Sequence, residues 1–396
     1  MTNRHIQSKL PHVGTTIFTV MSKMASDYGA INLSQGFPDF EVSSKLTGLV
    51  TEAMKQGHNQ YAPMQGLPEF RKVIGEVIEK SYQWEGNSLE EITVTAGATE
   101  ALFSCITALI HPGDEVIVFE PAYDSYLPAI ELNGGRGIPV LLNLNDFSIP
   151  WEKVEEAMTE RTRMIIINSP HNPTGSVLSR SDLENLERVA EKYDLFVLSD
   201  EVYDRIVFDN TRHESVLRYS KLRKRSAAVF SFGKTFHATG WKVGYIVAPE
   251  KYTQEIRKTH QFVTFSVNTS MQWAMTRYLQ DPENYLNLGT FFQHKRDFFL
   301  EAISSSRFSP MDCKGTYFQT VSYEAAVPQP YITNTVITTI LARPGLIPGR
   351  KVGIAVSKIW INTAAAVSQA MRWSSWVVGR VICMLLIVAG VRLETY

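Results

Sequence analysis

Short apolar runs alternate with longer amphipathic segments through the central part of the chain. This alternation is typical of βα units, in which buried parallel strands are joined by helices. The pattern therefore predicts an α/β fold with a mainly parallel sheet. We expect strands at 92–95, 115–119, 164–167, 196–198, 227–231 and 243–247.

Two helices are predicted from apolar residues that recur at spacings of three and four. The clearer one covers 182–193, where Ser181 is the expected N-cap and Glu184 would complete a capping box. The other should begin near Ala98 and end before Pro112.

Composition narrows the class of protein. The chain has 396 residues, of which 44% are hydrophobic and 20% charged, as in a soluble protein with more than one packed unit. A net charge of −1 gives no basic field to recruit nucleic acid or a membrane. Three widely separated cysteines suit neither a disulfide framework nor a metal cluster, and no apolar leader opens the sequence. A cytoplasmic location is therefore expected.

The last 72 residues differ from the rest. No Asp or Glu lies between Glu324 and Glu394, and this tail has a charge of +6 against −7 for the first 324 residues. A shifted reading frame is our hypothesis for the change, and an intact frame on resequencing would contradict it. The apolar run 381–391 is too short to cross a bilayer, which takes roughly 20 residues. We expect a buried helix or strand there, with a membrane-surface element as the alternative.

Candidate binding residues follow the predicted strands, because ligands of open parallel sheets bind beyond the carboxyl ends of the strands. The small-residue turn at Gly97 opens a helix and suits an anion, although tight packing alone would also explain it. Tyr123 could stack on a planar ring or be a surface aromatic. Asn172 lies in a turn made rigid by two prolines and a glycine.

Charged residues at the other strand ends indicate a cofactor. Asp200 ends a buried strand, where a carboxylate needs a cation such as a protonated ring nitrogen. Lys234 could form a Schiff base, although most lysines are solvated, and Lys242 could neutralise a phosphate. Together these residues specify a phosphorylated aromatic aldehyde, which is pyridoxal phosphate. No zinc or P-loop spacing occurs, so no metal is expected.

Several motifs identify a family. Over about residues 8–323, though not in the tail, the chain resembles the class I pyridoxal-phosphate-dependent aminotransferases of fold type I, and within them the methionine and kynurenine aminotransferases. The resemblance rests on NSPHNPTG from Asn168, SDEVY from Ser199, SFGKT around Lys234, GWKVG from Gly240, NLSQGFPD from Asn32 and NQYAP around Tyr61.

The resemblance implies a domain arrangement. A large domain with a mostly parallel sheet would be joined by a smaller α+β domain built from both termini. The expected segments are 1–45 for an N-terminal arm and small-domain segment, 46–285 for the cofactor domain, 286–323 for the start of the small domain, and 324–396 for the atypical tail.

It also implies residue roles. Lys234 would form the Schiff base and move the substrate proton, Asp200 would pair with the ring nitrogen, and Tyr203 would bond the ring hydroxyl together with Asn172. Tyr123 would stack on the ring. The phosphate would be held by Gly97, Ala98, Thr99, Ser231 and Lys242, with Tyr61 from the second subunit of a homodimer. Gly36 and Asn172 would contact the substrate carboxylate. Phe37 would line an apolar pocket for the substrate side chain or, alternatively, be a loop aromatic packed against the small domain.

The expected reaction is ping-pong transfer of the amino group of methionine or an aromatic amino acid to a 2-oxo acid. Two alternatives stay open. One is a β-lyase of the cysteine-S-conjugate type. The other is a catalytically impaired cofactor-binding protein, because the arginine that binds the substrate carboxylate in the family has no clear match, and Arg392 resembles it only superficially.

Overall fold

A computed structural model of the protein describes residues 6–27, 38, 40–306, 308–323 and 381–386. Gly36, Phe37, Arg392 and most of the tail lie outside the described residues. The helices are α1 (Ile17–Asp27), α2 (Ser44–Lys55), α3 (Pro68–Tyr82), α4 (Ser88–Glu91), α5 (Gly97–Leu109), α6 (Tyr126–Leu132), α7 (Trp151–Glu156), α8 (Arg180–Lys192), α9 (Ser220–Arg223), α10 (Phe232–Thr235), α11 (Glu250–Val263), α12 (Thr269–Leu279) and α13 (Leu288–Ile303). The strands are β1 (Ile92–Thr95), β2 (Glu115–Glu120), β3 (Arg136–Leu141), β4 (Thr162–Asn168), β5 (Phe196–Asp200), β6 (Ser226–Ser231), β7 (Gly244–Val247), β8 (Phe308–Pro310), β9 (Phe318–Tyr323) and β10 (Val381–Leu386).

Seven strands form one mixed sheet in the order β1-β7-β6-β5-β4-β2-β3. The five strands from β6 to β3 are mutually parallel, whereas β7 is antiparallel to both β6 and β1. Strand β1 therefore points in the same direction as β6. The predicted α/β fold with a mainly parallel sheet is confirmed.

All six predicted strands occur in this sheet, with bounds within two residues of those expected. The predicted helix near Ala98 is α5. The predicted start of α8 is wrong, because Ser179 rather than Ser181 is the N-cap. The Ser179 hydroxyl accepts from the amide of Asp182, and the Asp182 carboxylate accepts in return from the Ser179 amide. This reciprocal pair satisfies two free donors at the helix start.

The largest described core lies between the sheet and the helices α5 and α11. Alternate residues of the strands point to this face, as the two-residue repeat of a strand requires. The residues of β2 and β5 on the opposite face are buried as well, which explains why these two strands read as mainly apolar runs. The core side chains include Leu102, Ile106, Val116, Val118, Met164, Ile166, Leu198, Val229, Ile246 and Ile256.

A second, antiparallel sheet has the order β10-β9-β8. Strand β10 pairs with β9 so that Val381 lies opposite Tyr323 and Leu386 opposite Phe318. The apolar run 381–391 thus contains a strand, which is one of the two forms expected for it.

The chain divides into two compact units. One is built mainly from Glu41–Gln293 with Asp312–Thr316, and the other from the described residues of Pro11–Phe40, His294–Met311 and Tyr317–Tyr396. The proposed division at residues 46, 286 and 324 stays a prediction. Within the described residues, no helix combines the length and the apolar character that a membrane span requires.

Candidate active site

The strand directions bring six chain segments to one edge of the large sheet. The carboxyl ends of β1, β2, β4, β5 and β6 meet there, and the reversed β7 contributes its amino end, which follows Lys242. A cavity of about 230 Å³ lies at this edge. Ten of the eleven predicted cofactor residues line it: Gly97, Ala98, Thr99, Tyr123, Asn172, Asp200, Tyr203, Ser231, Lys234 and Lys242.

One end of the cavity is a cradle for an anion at the start of α5. Gly97 has a φ of +75°, and a Cβ atom there would lie 3.3 Å from Nζ of Lys242. A Cβ atom on Gly244 would lie 3.1 Å from the amide nitrogen of Ala98, so only glycine lets β7 approach the turn this closely. Free amides of the first helical turn and a lysine amine thus face one small space, as a phosphate group requires.

Asp200 provides the buried negative charge of the cavity. Its side chain is 3% exposed, and its Oδ2 accepts a 2.6 Å hydrogen bond from Oη of Tyr126. Burial raises the pKa of Asp200 to about 6, against the opposing effects of the Tyr126 hydrogen bond, the Val202 amide and the charge of Lys234. A cation placed beside this carboxylate would offset the cost of burying its charge and lower its pKa again.

Tyr126 is a site residue that the sequence did not reveal as such, because it stood only as one aromatic in a turn. It begins α6 and is fully buried, and burial together with the charge of Asp200 raises the pKa of its phenol well above the usual value. The phenol therefore remains a hydrogen-bond donor to Asp200. Its ring also contacts the ring of Tyr123 edge-on, at 5.6 Å between centroids.

Asn168 is a second residue to which the sequence gave no role. It is the last residue of β4 and lies in register with Asp200 on β5. Its Nδ2 donates to the carbonyl oxygen of Asp200 at 2.8 Å, and its Oδ1 accepts from the amide of Asn172 at 2.7 Å. Asn168 therefore fixes the turn that holds Asn172 beside the end of β5.

Lys234 lies on the short helix α10, directly after β6. Its side chain is half-buried, and Nζ lies 5.3 Å from the ring centroid of Tyr203, which is itself buried. Lys234 and Asp200 both line the cavity, and the charge of Lys234 opposes the rise in the pKa of Asp200 that burial causes. The commoner alternative of a fully solvated lysine does not apply here.

A histidine beside the cavity serves packing rather than proton transfer. Burial lowers the pKa of His171 to about 4, so its ring is neutral at pH 7. Its Nδ1 lies 2.8 Å from Oγ1 of Thr174, within the same rigid turn as Asn172. His171 thus stabilises the turn.

Of the remaining predicted site residues, the structure describes only Tyr61, which does not line the cavity. Tyr61 lies on a separate surface depression and is 81% exposed. Gly36 and Phe37 fall outside the described residues, as does Arg392. Among the described residues that line the cavity, none is an arginine.

Comparison with known proteins decides the family. A family profile described as aminotransferase class I and II matches residues 28–371. The chain belongs to the class I and II aminotransferase family. The match runs beyond Tyr323, where the resemblance was expected to end.

Relatives of this aminotransferase include methionine aminotransferase of Escherichia coli, which is 48% identical over 82% of this chain and 85% of that protein. The kynurenine–oxoglutarate transaminase of Dictyostelium discoideum is 34% identical over 77% of this chain and 75% of its own length. Among solved structures, that of Escherichia coli YbdL, described with a methionine aminotransferase function, superposes with a TM-score of 0.78 over 80% of this chain and 83% of that one.

Pyridoxal phosphate is the cofactor of this family, and the described cavity suits it. The anion cradle at Gly97 would suit the phosphate, the half-buried amine of Lys234 the aldehyde, and the buried carboxylate of Asp200 the ring nitrogen. Within the described residues, no group of three or more His, Cys, Asp or Glu side chains could hold a metal ion.

Proposed function

We propose that this aminotransferase moves the amino group of methionine or an aromatic amino acid to a 2-oxo acid in two half-reactions at the cavity between β1 and β4. The observation that carries the proposal is the convergence of Lys234, Asp200 and the Gly97 cradle on one cavity. The methionine preference is supported by the 48% identity to methionine aminotransferase. A cytoplasmic location is part of the same proposal.

Each residue has a role in the proposal. The bound cofactor supplies an aldehyde that takes up amino groups and a ring that withdraws electrons. Lys234 would hold the cofactor through its Nζ amine and would move the α-carbon proton of the substrate. Asp200, which accepts a hydrogen bond from Tyr126, would keep a proton on the ring nitrogen. The side chains of Asn172 and Tyr203 would donate hydrogen bonds to the ring hydroxyl.

Other residues position the cofactor. Tyr123 stacks on the ring, while the amides of Gly97 and Ala98 and the Nζ amine of Lys242 bind the phosphate, joined by the hydroxyls of Thr99 and Ser231. Gly36 and Phe37, together with Asn172, contact the substrate. In the proposal Phe37 lines an apolar pocket, which suits methionine or an aromatic side chain.

A homodimer completes the proposed site. Tyr61 is 81% exposed although its backbone is firmly held, and its ring contacts the ring of Phe265 edge-on. Phe262 and Val263, at the end of α11, are 86% and 50% exposed. An apolar surface beside a fixed, projecting tyrosine favours a second copy of the chain, whose phosphate Tyr61 would bind.

The test is covalent mapping of the cofactor lysine. The protein is saturated with pyridoxal phosphate, reduced with borohydride and digested, and the labelled peptide is located by mass spectrometry. We expect the label on Lys234 and its loss in Lys234→Ala, while the exposed control Lys258→Ala keeps it. A label mainly on another lysine would contradict the assignment.

Substrate assays test the reaction itself. Methionine and aromatic amino acids should convert the cofactor to its amino form, and a 2-oxo acid should convert it back. Release of pyruvate without any acceptor would instead favour the β-lyase alternative. Cofactor binding without turnover at millimolar amino acid would favour the impaired protein.

A further inference from the structure

A buried acid–histidine pair lies between the phosphate cradle and the loop that carries Tyr61. Glu100 belongs to the first turn of α5, and His260 belongs to α11 and is fully buried. Nδ1 of His260 lies 3.0 Å from Oε1 of Glu100. Neither side chain lines the cavity, and neither has a role in the proposed chemistry.

Both ends of this pair contact the backbone of functional segments. The Oε2 atom of Glu100 accepts from the amide of Ala96, the residue before Gly97, at 3.0 Å. Nε2 of His260 lies 3.0 Å from the carbonyl oxygen of Met64 and must donate to it, since a carbonyl oxygen only accepts. Three hydrogen bonds therefore connect Ala96 to Met64. They join Ala96 to Glu100, Glu100 to His260, and His260 to Met64.

The loop 58–64 is held by its carbonyl groups. The carbonyl oxygens of His58, Gln60 and Ala62 accept hydrogen bonds from Ser270, Thr269 and Ser266 in turn, at 2.6, 2.5 and 2.9 Å. Met64 continues this alternate pattern with His260 as the donor. Every second carbonyl is thus fixed, and Tyr61 projects from a rigid backbone.

We propose that the Glu100–His260 pair couples cofactor binding to dimer assembly by fixing the phosphate cradle and the Tyr61 loop in one arrangement. The inference rests on the proposed homodimer. In that dimer the cradle binds one side of the phosphate and the partner's loop binds the other. Polar groups buried this completely remain rigid only while all their hydrogen bonds are made, so both surfaces stay in place together.

Two variants separate the two ends of the pair. The amide nitrogen of an asparagine at position 260 would occupy the place of Nδ1 and keep the bond to Glu100, so His260→Asn should release Met64. The longer His260→Gln would keep the donor near Met64 and lose the bond to Glu100. Leu186, a buried residue of α8 that belongs to neither segment, supplies the control for simple destabilisation, Leu186→Ala.

The measurement is the linkage between cofactor and dimer. Dimer dissociation constants are determined by analytical ultracentrifugation with and without saturating pyridoxal phosphate, and their ratio is the coupling factor. In the wild type this ratio should exceed about 5, the lower end of typical couplings. Both His260 variants should bring it close to 1, whereas Leu186→Ala should leave it unchanged.

Hydrogen exchange of the cofactor-free protein provides a readout independent of activity. His260→Asn should speed exchange of amides in 58–64 more than His260→Gln does. Unchanged coupling in both variants would overturn the inference. A wild-type protein that stays monomeric, or whose dimer constant ignores the cofactor, would instead contradict the proposed shared site and remove the basis of the inference with it.

Discussion

Asp200 combines burial with a negative charge, and this gives a pH dependence that can be measured without cofactor. Its folded-state pKa of about 6 lies above the ordinary value of 3.8. The folded protein therefore binds this proton more tightly than the unfolded chain does. The stability that this group provides is fully present below about pH 4, and it is lost as the pH rises through 6.

Asp200→Asn removes this dependence. Between pH 4.5 and 7.5 the cofactor-free wild type should lose on the order of 2 kcal/mol of unfolding free energy relative to the variant. Urea unfolding at the two pH values measures the difference, with the exposed Glu160→Gln as a control that should parallel the wild type. A constant gap between wild type and Asp200→Asn at both pH values would contradict the burial of an ionisable group at this position.

Lys242 should act on the phosphate of the cofactor and on nothing else. Its Nζ would lie 3.3 Å from a Cβ atom placed on Gly97, at the start of α5. Since a hydrogen bond to a charged group contributes about 1.5–3 kcal/mol, Lys242→Gln should weaken pyridoxal phosphate binding by about 10-fold or more. Binding of pyridoxal, which lacks the phosphate, should change little. Equal weakening of both ligands would count against the assignment.

At the scale of the elements, the sequence at the start of α8 offers two possible N-cap residues, and the helix uses one of them. Ser181 with Glu184 and Ser179 with Asp182 both fit the capping-box spacing, and only the second forms. Ser179→Ala should therefore cost about 1 kcal/mol of stability, as N-cap removal generally does. Ser181→Ala, the matched variant, should stay within about 0.5 kcal/mol of the wild type. Denaturant titration measures both, and the reverse order would mean that the helix begins two residues later in solution.

The strands divide into those that the sequence reveals and those that it hides. Strands buried on both faces read as apolar runs, and β1 was predicted with its observed bounds. Strand β3 was missed because it is largely exposed and contains Pro139, whereas β1 is buried although it also lies at a sheet edge. Strand boundaries depend on local burial, which the pattern of residues reports directly only for strands buried on both faces.

The cavity was predictable for a similar reason, and its supporting contacts were not. The sequence places Asp200 and Lys234 at strand ends, which parallel topology brings to one edge. The reversal of β7, which delivers Lys242 to that edge, was not predicted from the residues. Tyr126 and Asn168 donate hydrogen bonds to Asp200 although they lie 74 and 32 residues from it in the sequence. A local sequence pattern cannot indicate contacts between residues so far apart.

At the scale of the whole molecule, the proposed dimer makes each active site depend on two chains. A Tyr61→Ala chain keeps its own Lys234, and a Lys234→Ala chain keeps its own Tyr61. In a hybrid of the two, one site joins the intact Lys234 of the first chain to the intact Tyr61 of the second. The other site carries both substitutions.

Mixing the two variants should therefore restore activity that neither has alone. After equal amounts are unfolded and refolded together, half of the dimers are hybrids with one intact site, so about a quarter of wild-type activity is expected. The matched control mixes Lys234→Ala with Asp200→Asn. Because each chain supplies both Lys234 and Asp200 to its own cavity, each variant chain inactivates its own site. A hybrid of these two variants therefore contains no intact site, and activity should stay low. Restoration in the control, or none in the first mixture, would show that Tyr61 does not act across the dimer.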